Sequence, residues 1–286
     1  MNKNNLIGKY FICCISIFFI GCNNSTEINF PLQYEGDKLI ILSNFEANQE
    51  ILVRILKTSP PLDTFFRDSF YVPNAIVKLL ENDTMYMLRY IGNGFFETEG
   101  NIQARTGNSY KVEAIATGFP AAFSDWEIVP DSGIIEQIRW TAEPQNDYEG
   151  FLEFRIILPN ELPFELSIFG IANGDVNSPI QEITEGIGLY CEGTVFIPEC
   201  LTSQGNIKVL VDRDYFNGNE SFIITHLIVS LRMLSISQKN YEESITLQED
   251  AFDYPFIANS SPYTNIHNGY GLVSGSSEVQ VTIAIN

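Results

Sequence analysis

Ser109–Ala116 reads SYKVEAIA, and its alternation decides the fold class: Tyr110, Val112 and Ala114 share one face, Lys111 and Glu113 the other. A period of two with one apolar face marks a strand that covers a core and leaves its other side wet, as antiparallel sheets allow. Toward the N-terminus the same grammar recurs. KLIILS (38–43), ILVRILKT (51–58), AIVKLL (75–80), TMYMLRY (84–90) and GFFETEG (94–100) are short apolar runs. Turn residues part several of them, Glu81-Asn82-Asp83 and Gly92-Asn93-Gly94 among them. Such strand density predicts a small β-sandwich over residues 37–122.

Gly118–Gly133, GFPAAFSDWEIVPDSG, interrupts the rhythm with prolines and glycines and is read as the boundary to a second domain, residues 127–286. Longer strands follow, among them IIEQIRWTA (134–142), GFLEFRIILP (150–159), FELSIFGIA (164–172), SFIITHLIVSLRML (221–234) and SEVQVTIAI (277–285). One helix is predicted over Ser237–Phe252, with Ser237 as N-cap; its acidic last turn opposes the helix dipole, so it needs support from the body. The fold class is therefore mostly β, with a larger antiparallel domain carrying one helix after the first sandwich.

The first residues follow a different logic. Lys3 and Lys9 precede an apolar stretch from Tyr10 to Ile20, too short to span a bilayer and shaped like a signal peptide. Gly21-Cys22 ends it as bacterial lipoprotein precursors end, so residues 1–21 are read as leader and Cys22 as the lipidated residue. Residues 22–36 form a tether that would reach about 50 Å if fully extended. Cys13 and Cys14 leave with the leader. Cys191 and Cys200 remain, an even pair expected to form a disulfide outside the cytosol.

The 286-residue chain carries a net charge of −20, which becomes −22 when Lys3 and Lys9 are removed. That surface repels phosphate backbones and excludes nucleic acid as a partner. It repels anionic lipid as well, leaving membrane attachment to the acyl chains.

Chemistry is sparse. His226 shares a strand face with Phe222, Ile224 and Ile228 and reads as packing; His267 sits in a glycine-rich turn and reads as a loop hydrogen bond. No Gly-x-Ser-x-Gly elbow occurs. Glu242-Glu243, Glu249-Asp250 and the pair Asp125 and Glu127 read as solvated acids. A glycoside hydrolase would instead need two carboxylates about 5 to 10 Å apart in one cleft. Asp212, Asp214, Asn217, Asn219 and Glu220 gather oxygens, but their order is not that of a calcium loop, and a turn cornered at Asn217-Gly218 accounts for them. No metal or cofactor site is expected. Phe65, Phe66, Phe70 and Tyr71 lie in a proline-rich loop, where they either cap the sandwich or stay exposed to bind a glycan or peptide.

Several stretches in order resemble a family of Bacteroidetes outer-membrane lipoproteins catalogued as domain of unknown function 4249. They are KLIILSNFEANQEILVRI (38–55), VPNAIVKLLEND (72–83), GNSYKVEA (107–114), VDRDYFNGNESFII (211–224), LRMLSISQKNYEESITLQ (231–248) and SPYTNIHNGYGLVSG (261–275). The most specific is the N-I-x-N-G-x-G phrase formed by Asn265, Ile266, Asn268, Gly269 and Gly271. The resemblance implies a surface or periplasm-facing lipoprotein of the kind often encoded beside TonB-dependent receptors, with no catalytic residues to carry over. It also implies that the first domain is an Ig-like sandwich of the carboxypeptidase-regulatory type. The expected role is a non-catalytic partner of such a receptor, with glycan binding as the alternative and hydrolysis behind both.

Overall fold

The computed structural model describes residues 36–60, 70–100, 102–159, 161–172, 181–182, 188–191, 194–195, 204–212, 214–217, 220–253 and 262–285. Cys22, Phe65, Phe66, Cys200 and the side chain of Cys191 therefore lie outside the described residues. Gly36–Asn286 forms one compact unit. It is mostly β, with one helix among the described residues.

Alternation builds the first half as the sequence requires. β1 (Leu39–Glu46), β2 (Leu52–Lys57), β3 (Ile76–Glu81), β4 (Thr84–Gly92), β5 (Phe95–Thr98), β6 (Ser109–Ile115) and β7 (Ala122–Ser124) lie along one hydrogen-bonded path. β8 (Glu127–Ile128) pairs with β6 at its side. Leu39 and Ile41 of β1, Val53 and Ile55 of β2, and Tyr110 and Val112 of β6 are fully buried in a common core. Full burial of one such aliphatic side chain stabilises the fold by about 2 kcal/mol. A slip of one residue would turn Lys111 and Glu113 into that core, so the register is strongly specified.

The second half adds β9 (Ile134–Glu143), β10 (Asn146–Ile157), β11 (Phe164–Ala172), β12 (Gln181–Glu182), β13 (Gly188–Cys191) and β14 (Thr194–Val195). After these come β15 (Gln204–Asp212), β16 (Asp214–Asn217), β17 (Glu220–Leu234), helix α1 (Ile236–Asp253), β18 (Ile266–His267) and β19 (Tyr270–Ala284). β14-β13-β15-β10-β9 make a separate sheet, and its Leu152, Ile156 and Val209 pack into one core with Leu227, Val229 and Leu231 of β17. β16 pairs antiparallel with β17, from Asp214 opposite Ile223 to Asn217 opposite Glu220.

β19 joins the two halves. Its first part runs parallel to β1, Ile40 opposite Tyr270 through Glu46 opposite Ser276, and its second part runs antiparallel to β17. Val273 belongs to the first core, while Val279, Val281 and Ile283 pack on the second. The large sheet thus follows the order β12-β11-β17-β19-β1-β2-β5-β4-β3-β6-β7-β18 without a break.

Two local expectations are corrected. The N-cap of α1 is Ser235, not Ser237: its carbonyl accepts from Lys239 N at 3.2 Å and its Oγ from Gln238 N at 3.3 Å. In β17 a register shift places Ile171 opposite His226 and Ala172 opposite Ile224. The extra residue breaks the alternation. Ile224 joins the core with Leu227, while His226 is half-buried with Nδ1 3.1 Å from Thr225 Oγ1.

No helix among the described residues is long and apolar enough to cross a membrane. α1 has no basic residue in its last turn to meet the dipole, and it packs on β19.

Candidate functional site

The phrase Asn265–Gly271 converges with β8 and the start of α1 on one buried polar junction. β8 sets it up. Pairing of Tyr110 with Glu127 and of Ser109 with Ile128 fixes the pleat. Trp126 and Ile128 consequently face out, 47% and 53% exposed, and the Glu127 carboxylate faces in, 6% exposed. Glu127 is therefore not the solvated acid that its neighbour Asp125 suggests.

Burial of Glu127 is made tolerable by donors. Oε1 accepts from Asn265 Nδ2 at 3.0 Å and from Ser237 Oγ in a short bond. Tyr263 Oη stands 3.3 Å from the same Ser237 hydroxyl. Loss of water holds the Glu127 carboxyl above the usual range; hydrogen bonds from Ser237, Ser235 and Asn265 oppose this, and the charge of Asp125 adds to it.

Asn265 acts as a clamp. Val273 N donates to its Oδ1 at 3.0 Å and its Nδ2 donates to Val273 O at 2.7 Å, so one side chain closes a ladder-like pair against β19. Its own carbonyl accepts from Asp125 N at 3.0 Å. Ser235 completes the junction, donating its N–H to Gly275 O at 2.8 Å and accepting Gly275 N on Oγ at 3.1 Å.

The glycines in the phrase answer to space. Asn268 takes a left-handed φ of 57° at the corner between β18 and β19. Gly271 has φ of 113°, and a Cβ there would stand 2.1 Å from the Ile41 carbonyl oxygen. Only glycine lets β19 enter its parallel pairing with β1.

Outside the junction, His267 Nε2 lies 2.7 Å from Asp125 Oδ1, with both side chains about half exposed. The imidazole stacks on Phe123 at 4.8 Å between centroids, and Lys111 Nζ sits 4.6 Å from the same ring. The pairing orients the imidazole, but among the described residues no hydroxyl or thiol is bonded to it as a nucleophile would be. His267 thus makes the hydrogen bond its turn position suggested, to a side chain.

A second carboxylate assembly escaped the sequence reading. Glu242 on α1 is half-buried with Gln238 as its partner. Its carboxyl is raised above the usual range by burial, with Glu165 of β11 adding and Arg232 of β17 opposing. Arg232 Nη1 also binds Glu165 at 3.2 Å. Glu242 is accordingly no freely solvated acid.

Of the loop aromatics, Phe70 and Tyr71 are described and half-buried. Tyr71 bridges to Leu56, its ring lies where a Cβ on Gly94 would meet it at 3.1 Å, and the Arg54 guanidinium stands 5.9 Å away. No group of three or more metal-ligating side chains is found among the described residues.

The junction could have been suspected only from the inverted pattern Trp126-Glu127-Ile128, an acid between two large apolar residues on a strand. Its partners Ser237 and Asn265 stand more than a hundred residues away, and nothing local announces them.

A search of curated proteins finds no match. The family model described as domain of unknown function (DUF4249) matches residues 25–282 and takes in all the elements that form the junction. The chain belongs to that family.

Proposed function

We propose that this protein is a non-catalytic lipoprotein, held at the outer membrane by acyl chains on Cys22, that binds a TonB-dependent receptor or presents a ligand to it. The observation that carries the reading is the closure of the polar junction. Glu127, Ser237 and Asn265 converge as catalytic groups would, yet they are buried and spend their hydrogen bonds on one another and on Val273. A reactive group must be open to its substrate. These hold three distant segments together, so the phrase Asn265–Gly271 is architecture, and function falls to the surface of the strands.

Other features favour the same reading. Gly36 leads directly into β1, which is paired on both sides, so a tether of residues 22–36 would have a firm root. Cys191 and Cys200 would be oxidised in the same compartment, one bridge per chain. With a net charge of −20, the body has little affinity of its own for anionic lipid.

The test is recovery from detergent-solubilised envelopes under mild cross-linking. Labelled palmitate should enter the wild-type protein and not Cys22→Ser, and a TonB-dependent receptor should accompany the wild type. Repeated recovery without any receptor, across growth conditions, would overturn the assignment.

A further inference from the structure

We propose that the outer face of β3, β4 and β6 is the docking surface for a partner protein that offers an apolar strip with a carboxylate beside it. The inference rests on the reading of the protein as a receptor-binding lipoprotein and names the surface that reading requires.

The face is the side of these strands turned away from the first core. Val77, Leu79 and Val112 point inward and are fully buried. The alternate positions would be polar on an ordinary wet face. Here Ile76, Met85, Met87 and Ile115 lie on that side, 52%, 55%, 50% and 45% exposed. The register makes them neighbours: Ile76 is opposite Ile115 on β6, and Lys78 is opposite Met87 on β4. Methionine supplies a pliable apolar surface suited to a partner's contours.

Charge points to the kind of occupant. Lys111 on this face pairs with Glu113 at 3.4 Å, and Arg89 pairs with Glu97 of β5. Lys78, in the middle strand, stands opposite Glu113 on β6, but Glu113 pairs with Lys111 and Lys78 forms no ion pair among the described residues, on a chain with 36 acidic residues against 16 basic. A carboxylate from the partner would meet it. A second copy of this chain would not: a two-fold axis through the middle of the face would set Lys78 near its own equivalent. Area agrees. Three strands about 4.8 Å apart and about 20 Å long cover roughly 300 Å² a side, well short of the roughly 800 Å² that each partner gives to a stable free association. A strip of that size suffices for two proteins confined to one membrane, where effective concentration is high.

Envelope co-purification of the full-length protein tests the surface. Met87→Glu and Lys78→Gln should each lower receptor recovery at least tenfold while leaving the thermal midpoint of the purified protein unchanged; glutamine is chosen at 78 because a glutamate there would face Glu113 across the pair. Thr282→Glu, on an exposed position of β19, should leave recovery at the wild-type level. A photo-cross-linker at position 87 should reach the receptor. Full recovery with both face variants would overturn this surface and leave the receptor reading standing, whereas absence of receptor from the wild type would overturn both. Cross-links from position 87 only to a second copy, or binding of the wild type but not Met87→Glu to neutral phosphatidylcholine vesicles with no receptor cross-link, would overturn the choice of a protein partner.

Discussion

Replacing Asn265 by alanine should be among the most damaging single changes to the fold. The side chain makes two bonds to Val273 backbone groups and one to the Glu127 carboxylate, and Val273 is fully buried. Truncation leaves the Val273 N–H and C=O without partners and takes one donor from a buried carboxylate. At about 1–3 kcal/mol for each orphaned buried group, the loss comes to roughly 5 kcal/mol, a large share of the 5–15 kcal/mol that holds a typical domain. Urea unfolding followed by tryptophan fluorescence is well placed to read it, because Trp126 adjoins the junction. With a slope of about 3 kcal/mol per molar urea, the midpoint should fall by more than 1 M. Asn265→Asp adds a carboxylate beside Glu127; it should be at least as damaging at neutral pH and recover in part on acidification. A loss under about 1 kcal/mol for Asn265→Ala at neutral pH would refute the clamp.

Glu127 is raised above the ordinary carboxylate value of 4.5, so the folded form holds its proton more tightly than the unfolded one. Its contribution to stability is greatest below that value and declines as pH climbs through the window above it. Glu127→Gln keeps the Oε1 acceptor and loses this dependence. The variant should gain on the wild type as pH rises above 4.5 in parallel urea titrations. Gly271→Ala should cost about 3 kcal/mol or more, since its Cβ has no room beside Ile41 O, and hydrogen exchange should show β1 deprotected. Ser235→Ala removes the helix cap and a partner of Gly275 N, for about 1–2 kcal/mol measured by thermal unfolding.

The strands were legible wherever one face is buried. Tyr110, Val112 and Ala114 are all fully buried, as their alternation required. Period-two order is a local signal, so it survives in the sequence. The pairing of β1 with β19 is not local, because Ile40 and Tyr270 meet across nearly the whole chain and no residue of either strand names the other. The cap of α1 was misplaced by two residues because Ser235 and Ser237 both suit the role, and what separates them is Glu127, which draws Ser237 inward. Likewise, Glu242 looks solvated until the fold half-buries it beside Glu165 and Arg232. For His226, one extra residue in β17 was enough to part it from Ile224.

The setting of β1 between an antiparallel neighbour and a parallel one has a mechanical consequence. A pull applied at Gly36 cannot peel this strand away bond by bond from a free edge, because β2 grips one side and β19 the other. It must slide the strand lengthwise and load both rows of hydrogen bonds together. Chain entry at this point would make the body resistant to drag from the tether proposed above.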